Sequence, residues 1–316
     1  MPVFLTPLAG LVVLAAALPL GAALLRERRL GALRHALALD GPGRGALATA
    51  GAAAAAVALL ALAAAQPALS RSRSGAERTD AEAYVVLDVS RSMAAVASAG
   101  GPTRLARAQA LALRLRDAVP AAPWGVASLT DRVLVHAFPT SDRPLFHDTV
   151  LQAVGIQRPA PAFRTKNATA LMSLGTAAGA GFFARAAKRR LLVCFTDGES
   201  NGFVPSALAQ ELRAHRVSLL VVRLWSQGDR VYDARGRDLG YRPDPRSAGL
   251  AASLRAAGIP VVPERDFPRA EALAARLLGD GPTVSAHTET QLLPLAPLLV
   301  LAAIAPLGFA LVRARS

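Results

Sequence analysis

Three long uncharged stretches punctuate this chain, and between the second and third it alternates short apolar runs with segments of helical period. Residues 1–25, 45–70 and 290–312 carry no Asp, Glu, Lys or Arg. Each is long enough to cross a hydrocarbon layer of about 30 Å as a helix. The pattern therefore predicts three transmembrane helices. Arg26, Arg28 and Arg29 follow the first apolar run rather than precede it. That order argues for an uncleaved anchor over a signal peptide. The second run is mostly alanine, strengthened by Val57, Leu59, Leu60 and Leu62. A soluble core helix competes with a membrane span there.

Between these stretches the period shifts. A first strand is expected at 83–88, where residues 84–87 form a short apolar run. Residues 191–195 are again a bare apolar run, the signature of a strand buried on both faces, and 217–224 reads as the next strand. Residues 126–129 and 133–138 read as two strands joined at Thr130-Asp131. Thr103 caps a helix to about Val119, whose Leu105, Ala108, Ala112, Leu115 and Val119 share one face. Further helices are expected near 142–154, 170–187, from Pro205 to about His215, from Asp244-Pro245 to Gly258, and over 268–278. A short strand is expected at 259–262, and residues 226–243 read as an irregular loop. Strands alternating with helices predict an α/β fold, a doubly wound and mainly parallel Rossmann-like sheet.

Charge orients this picture. The 26–44 loop has five arginines against Glu27 and Asp40, and the 313–316 tail carries Arg313 and Arg315. The positive-inside tendency puts both on the cytoplasmic side and residues 71–289 outside. Arg71, Arg73 and Arg78 pull the other way. The formal charge of +14 does not indicate nucleic-acid binding. Apart from Lys166 and Lys188 it is all arginine, scattered and without a nucleic-acid motif. One cysteine, Cys194, leaves no internal disulfide or cysteine zinc site. The five histidines, His35, His136, His147, His215 and His287, share no metal-ligand spacing. There is no phosphate loop and no nucleophile elbow. Asp142 and Glu199 read either as loop residues supporting the metal ligands from behind or, more blandly, as solvated carboxylates.

The chemistry concentrates at strand ends. Asp88, Ser90 and Ser92 lie at or just beyond the carboxyl end of the first buried strand, and Asp197 just beyond that of 191–195. Alternate residues there can aim their oxygens at one spot, and such sheets bind ligands at their carboxyl ends. A carboxylate with two hydroxyls suits a hard cation.

With these residues in place, the segment 80–280 resembles a von Willebrand factor type A (VWA) domain with its metal-ion-dependent adhesion site (MIDAS). Asp88-x-Ser90-x-Ser92 matches the first part of that motif. Thr196-Asp197-Gly198-Glu199 matches the frequent Thr-Asp-Gly turn and gives Asp197 the aspartate role. The family's threonine usually follows a glycine; here Asn167-Ala168-Thr169-Ala170 has Ala168 instead. Gly175-Thr176-Ala177 is the rival. Thr169 is preferred, because a helix over 170–187 would then be long enough to cover the sheet. The layout of two amino-terminal spans, a VWA domain and one carboxyl-terminal span is similar to bacterial Bat-type (aerotolerance-like) membrane proteins.

The resemblance implies metal bonds from Ser90, Ser92 and Thr169, with Asp88 and Asp197 acting mainly through water. The expected ion is Mg²⁺, with Mn²⁺ or Ca²⁺ as alternatives, and the expected sixth ligand is an Asp or Glu carboxylate of a protein partner. It implies a non-enzymatic, multi-pass membrane protein that assists envelope complexes with a MoxR-type AAA+ ATPase and other Bat-like proteins. Two other readings stay open: a chelatase-like subunit with the domain in the cytoplasm, and a metallohydrolase.

Overall fold

A computed structural model describes residues 2–18, 21, 22, 24–26, 29, 44–162, 169–233 and 235–315. In chain order the elements begin with β1 (Pro2–Phe4), a 3-10 helix Pro7–Ala16, α1 (Arg44–Ala64) and β2 (Pro67–Arg78). Next come β3 (Ala81–Asp88), α2 (Arg104–Ala118), β4 (Trp124–Leu129), β5 (Val133–Thr140), α3 (Arg143–Asp148), α4 (Ser173–Gly179) and β6 (Arg189–Thr196). The chain continues through α5 (Pro205–Ala214), β7 (Val217–Arg223), α6 (Leu250–Ala256), β8 (Val261–Pro263), α7 (Phe267–Leu278), β9 (Thr283–Pro294) and α8 (Ala296–Arg315). These elements form two compact units, one of Arg73–Glu289 and one of Met1–Ser72 with Thr290–Ser316.

The larger unit holds a six-stranded sheet in the order β5-β4-β3-β6-β7-β8. All neighbours are parallel except β4 and β5. Alternate residues of the buried strands feed two cores. Val85, Leu87, Val193 and Phe195 face Leu105, Ala108 and Leu115 of α2 and Phe267, Ala270 and Leu278 of α7. Tyr84, Val86, Leu192 and Cys194 belong to the other core, with Leu174 of α4, Leu208 and Leu212 of α5 and Leu254 of α6. Two covered faces explain why β3 and β6 read as unbroken apolar runs. β3 lies between β4, reached through α2, and β6, reached much later. The strand order therefore reverses beside β3, where open α/β sheets form a crevice.

Local signals set the helix ends. Thr103 Oγ1 accepts the Ala106 amide at 3.0 Å and starts α2. Asp142 caps α3 in the same way, accepting the Leu145 amide at 3.0 Å. Gly279, at φ +60°, closes α7.

The helix expected over 170–187 is much shorter, since α4 covers only Ser173–Gly179. Gly181 takes φ +75°, and Phe183 turns inward to pack edge-on against Tyr84 with ring centroids 5.3 Å apart. That inward packing takes the chain out of a segment with good helical propensity.

In the smaller unit β1 pairs antiparallel with β2, from Pro2↔Leu69 to Phe4↔Pro67, and α1 packs against α8 and the 3-10 helix. The described residues do not confirm all three predicted membrane helices. Among the described residues one helix is long and apolar enough to cross a membrane, the 18 residues Ala296–Arg313. The apolar part of α1, Ala48–Ala64, is shorter. Within 1–25 the described helix Pro7–Ala16 has ten residues. At the 3-10 rise it spans only about 20 Å. The 45–70 run gives way to strand at Pro67, and the 290–312 run begins as strand and turns helical at Ala296. Most of the basic 26–44 loop lies outside the described residues.

Candidate functional site

β3 and β6 run side by side in parallel, with Leu87 opposite Phe195. That register brings Asp88 and the Thr196-Asp197 pair to one end of the sheet. Asp88 is fully buried, and its two oxygens are occupied by donors. Oδ1 accepts the Ser90 amide at 2.9 Å and the Thr169 hydroxyl at 3.2 Å. Oδ2 accepts the Thr196 hydroxyl at 2.6 Å. Beyond β3 the chain makes a short 3-10 turn, Arg91–Ala94, which leaves Ser90 Oγ and Ser92 Oγ 3.0 Å apart.

Thr169 arrives on a loop pinned to both sides of the site. The Asn201 amide donates to its carbonyl at 2.8 Å, and the neighbouring Ala170 amide donates to the Thr130 carbonyl at 2.7 Å. Thr176 is exposed on α4. The short α4 removes the helix-length reason for preferring Thr169, yet Thr169 is the threonine beside Asp88. Asn167 and Ala168 lie outside the described residues.

Asp197 is equally buried. Its Oδ1 accepts the Glu199 amide at 2.9 Å, and its Oδ2 pairs with Arg104 Nη1 at 2.8 Å. Gly198 makes this turn with φ +83°, and a Cβ there would meet Leu250 Cδ2 at 2.6 Å. Only glycine fits that backbone without strain. Asp142 lies away from this cluster as the cap of α3. Glu199 belongs to it. Its Oε1 accepts the Tyr241 hydroxyl at 2.6 Å and the Asp244 amide at 3.2 Å.

The sequence reading overlooked Arg104, Asp229 and Tyr241. Arg104 Nε donates to Asp229 Oδ2 at 2.9 Å, and Nη1 donates to the Tyr241 hydroxyl at 2.9 Å. A cation on the buried stripe of α2, next to Leu105 and Ala108, was the available signal. Nothing in the 226–243 loop marks Asp229 beforehand.

Charge is crowded here. Burial, and then the charge of Asp197, push the Asp88 carboxyl up to about 7 against the hydrogen bonds from Thr196 and Ser90. Burial and Asp197 also raise Glu199. Burial disfavours the charge on Arg104, but Asp197, Tyr241 and Asp229 outweigh it and hold the guanidinium above its usual range.

The donor set fits a hard divalent cation. It offers hydroxyl and carboxylate oxygens, and among the described residues no cluster of three or more His, Cys, Asp or Glu competes for a softer metal. The 3.0 Å between Ser90 Oγ and Ser92 Oγ suits adjacent corners of an Mg²⁺ octahedron. With bonds of about 2.1 Å those corners are about 3 Å apart.

No protein-family model and no curated relative matches the chain. Solved structures match its fold. An aerotolerance-related membrane protein from Bacteroides fragilis aligns at 18% identity and TM-score 0.50, covering 63% of this chain and 98% of its own. BatB from Bacteroides thetaiotaomicron aligns at 18% identity and TM-score 0.50, covering 62% and 98%. A von Willebrand factor type A protein from Catenulispora acidiphila aligns at 13% identity and TM-score 0.40, covering 68% and 46%. The likeness to the two Bacteroides proteins is one of fold, an α/β fold with a mainly parallel central sheet.

Proposed function

We propose that this chain is a membrane-anchored module that binds a protein partner through a divalent metal ion. One observation carries the reading: the hydroxyls of Ser90, Ser92 and Thr169 converge with the buried carboxylates of Asp88 and Asp197 where the strand order reverses. Ser90, Ser92 and Thr169 are the proposed direct ligands. Asp88 and Asp197 supply negative charge and orient the donors around them. Mg²⁺ is the expected ion, since it accepts oxygen ligands and keeps several waters. When bound, it supplies an electrophilic position that an Asp or Glu of the partner can fill. No reaction is assigned to the site.

The membrane part of the proposal rests on α8, whose Leu298, Leu301, Ile304, Leu311 and Val312 are all exposed. So many exposed apolar side chains on one helix suit a lipid surroundings. The basic 26–44 loop favours an extracytoplasmic VWA unit. The shared fold with aerotolerance-related membrane proteins suggests work on envelope complexes, in partnership with a MoxR-type AAA+ ATPase and other Bat-like proteins.

The test is co-purification from detergent extract by wild-type chain and by a Ser90→Ala/Ser92→Ala variant, with and without chelator. Partners should be lost on chelation and absent from the variant. Partners retained undiminished in both cases would refute the reading. Sidedness is tested with an impermeant thiol reagent on intact cells. Cys194 is buried and can remain, while Ser98, which is exposed, and Ser316 are changed to cysteine in turn. Labelling at Ser316→Cys alone would reverse the topology.

A further inference from the structure

We propose that Arg104 is a resident counter-cation, whose fixed charge lets the buried carboxylates coexist without a metal and limits how tightly a divalent ion can bind. This rests on the metal-binding reading above.

Arg104 sits at the first turn of α2 with 0% exposure, beside the buried apolar stripe of Leu105, Ala108, Ala112 and Leu115. Packing alone gives no reason to bury a guanidinium there, because desolvating a charge is costly unless it is paired. Its partners supply the reason. It bonds Asp197 Oδ2 at 2.8 Å and Asp229 Oδ2 at 2.9 Å, and lies 3.7 Å from Glu199 Oε1. Nη1 also reaches the Tyr241 hydroxyl at 2.9 Å and the Ser92 carbonyl at 3.3 Å. Nη2 has no partner among the described residues, so the guanidinium is held by its anions and not by a saturated hydrogen-bond set.

Three acidic side chains, Asp197, Glu199 and Asp229, thus gather around this permanent cation, while Arg223 reaches among them only the Asp197 carbonyl, at 3.4 Å. Arginine cannot shed its proton to relieve a second positive charge. An ion approaching Asp197 finds that carboxylate already shared, and meets the guanidinium as a like charge. The same group ties Asp229 and Tyr241 of the 226–243 loop to the site, so its removal should loosen that loop as well.

The experiment titrates Mn²⁺ into the full-length protein in detergent and follows the free ion by electron paramagnetic resonance. Wild type is compared with Arg104→Gln, which removes the charge, and Arg104→Lys, which keeps it but loses the fork. Arg104→Gln should bind Mn²⁺ about tenfold tighter or more, the scale of one unit charge a few ångströms away at a partly screened site. Arg104→Lys should stay within about threefold of wild type. Trypsin should cleave after the exposed Arg235 or Arg237 faster in both variants, a change that charge alone would not produce.

Equal or weaker Mn²⁺ binding by Arg104→Gln overturns the proposal. If Arg104→Gln is unfolded without metal, recovery of its near-ultraviolet circular dichroism at Mn²⁺ below the wild-type Kd supports it, and failure to recover overturns it. If wild type does not bind but Arg104→Gln does, the metal-binding reading of the native site falls and the counter-cation role stands. If neither binds, both fall.

Discussion

Thr196 donates its hydroxyl to Asp88 Oδ2 at 2.6 Å, joining the carboxyl ends of two adjacent parallel strands through one buried contact. The same hydroxyl accepts the Gly198 amide at 3.0 Å, so it also fixes the turn that carries Asp197. Thr196→Val keeps the shape and removes both bonds. The loss should destabilise the protein by about 1–3 kcal/mol, the usual cost of leaving a buried polar partner unsatisfied. It should also weaken Mn²⁺ binding, because Asp88 and Asp197 lose their common support. Chemical denaturation beside a Mn²⁺ titration checks both. Unchanged values would mean that the contact is dispensable.

Asp88 makes the metal-free protein sensitive to pH. Its carboxyl titrates near 7 in the folded chain, against 3.8 for an ordinary aspartate, chiefly through burial and then through Asp197. Between those values the folded state binds more protons than the unfolded one. Metal-free stability should therefore fall as pH rises from about 4 to 7 and level off above. Metal affinity should move oppositely, since the ion needs the deprotonated carboxylate. Mn²⁺ titrations at several pH values should give a Kd that improves up to about pH 7 and then flattens. A flat profile from pH 5 to 8 would contradict this.

Much of this was legible in the sequence, for physical reasons that can be named. β3 and β6 are covered on both faces, so every residue is apolar and the strand announces itself. β2 and β9 do not, because Ser70, Arg71, Ser72 and Arg73, like Thr288, Glu289, Thr290 and Gln291, offer no apolar alternation. The motif residues Asp88, Ser90, Ser92 and Asp197 were readable from their places at strand ends. Arg104 and Asp229 were not. They are 125 positions apart, and only the fold brings them to 2.9 Å.

Thr169 and Thr176 give a direct contrast. Thr169 is buried, with its hydroxyl 3.2 Å from Asp88 Oδ1, whereas Thr176 is exposed on α4. Thr169→Ala should weaken Mn²⁺ binding about tenfold or more, the loss of one hydroxyl ligand or charge-assisted bond. Thr176→Ala should change nothing, as expected for a surface site. Equal effects from the two, measured by the same titration, would remove Thr169 from the proposed ligand set.

The last expectation separates the metal from the fold. The two cores are built from Val85, Val86, Leu87, Val193, Phe195, Leu219 and Leu220, none of which needs an ion to pack. Asp88→Asn keeps an oxygen for the Ser90 amide and removes the negative charge that faces Asp197. It should abolish metal binding. It should also leave the metal-free protein folded at pH 7.5, with stability equal to or above that of metal-free wild type, because like-charge repulsion is relieved. Metal should stabilise only the wild type, by about 2.7 kcal/mol at a hundred times its Kd. Chelator should bring metal-loaded wild type down by that amount and leave Asp88→Asn where it was. Thermal unfolding of both proteins, with Mg²⁺ and with chelator, reads all four states. If Asp88→Asn is unfolded in every condition, Asp88 is part of the scaffold. If it still gains stability from Mg²⁺, the ion binds elsewhere.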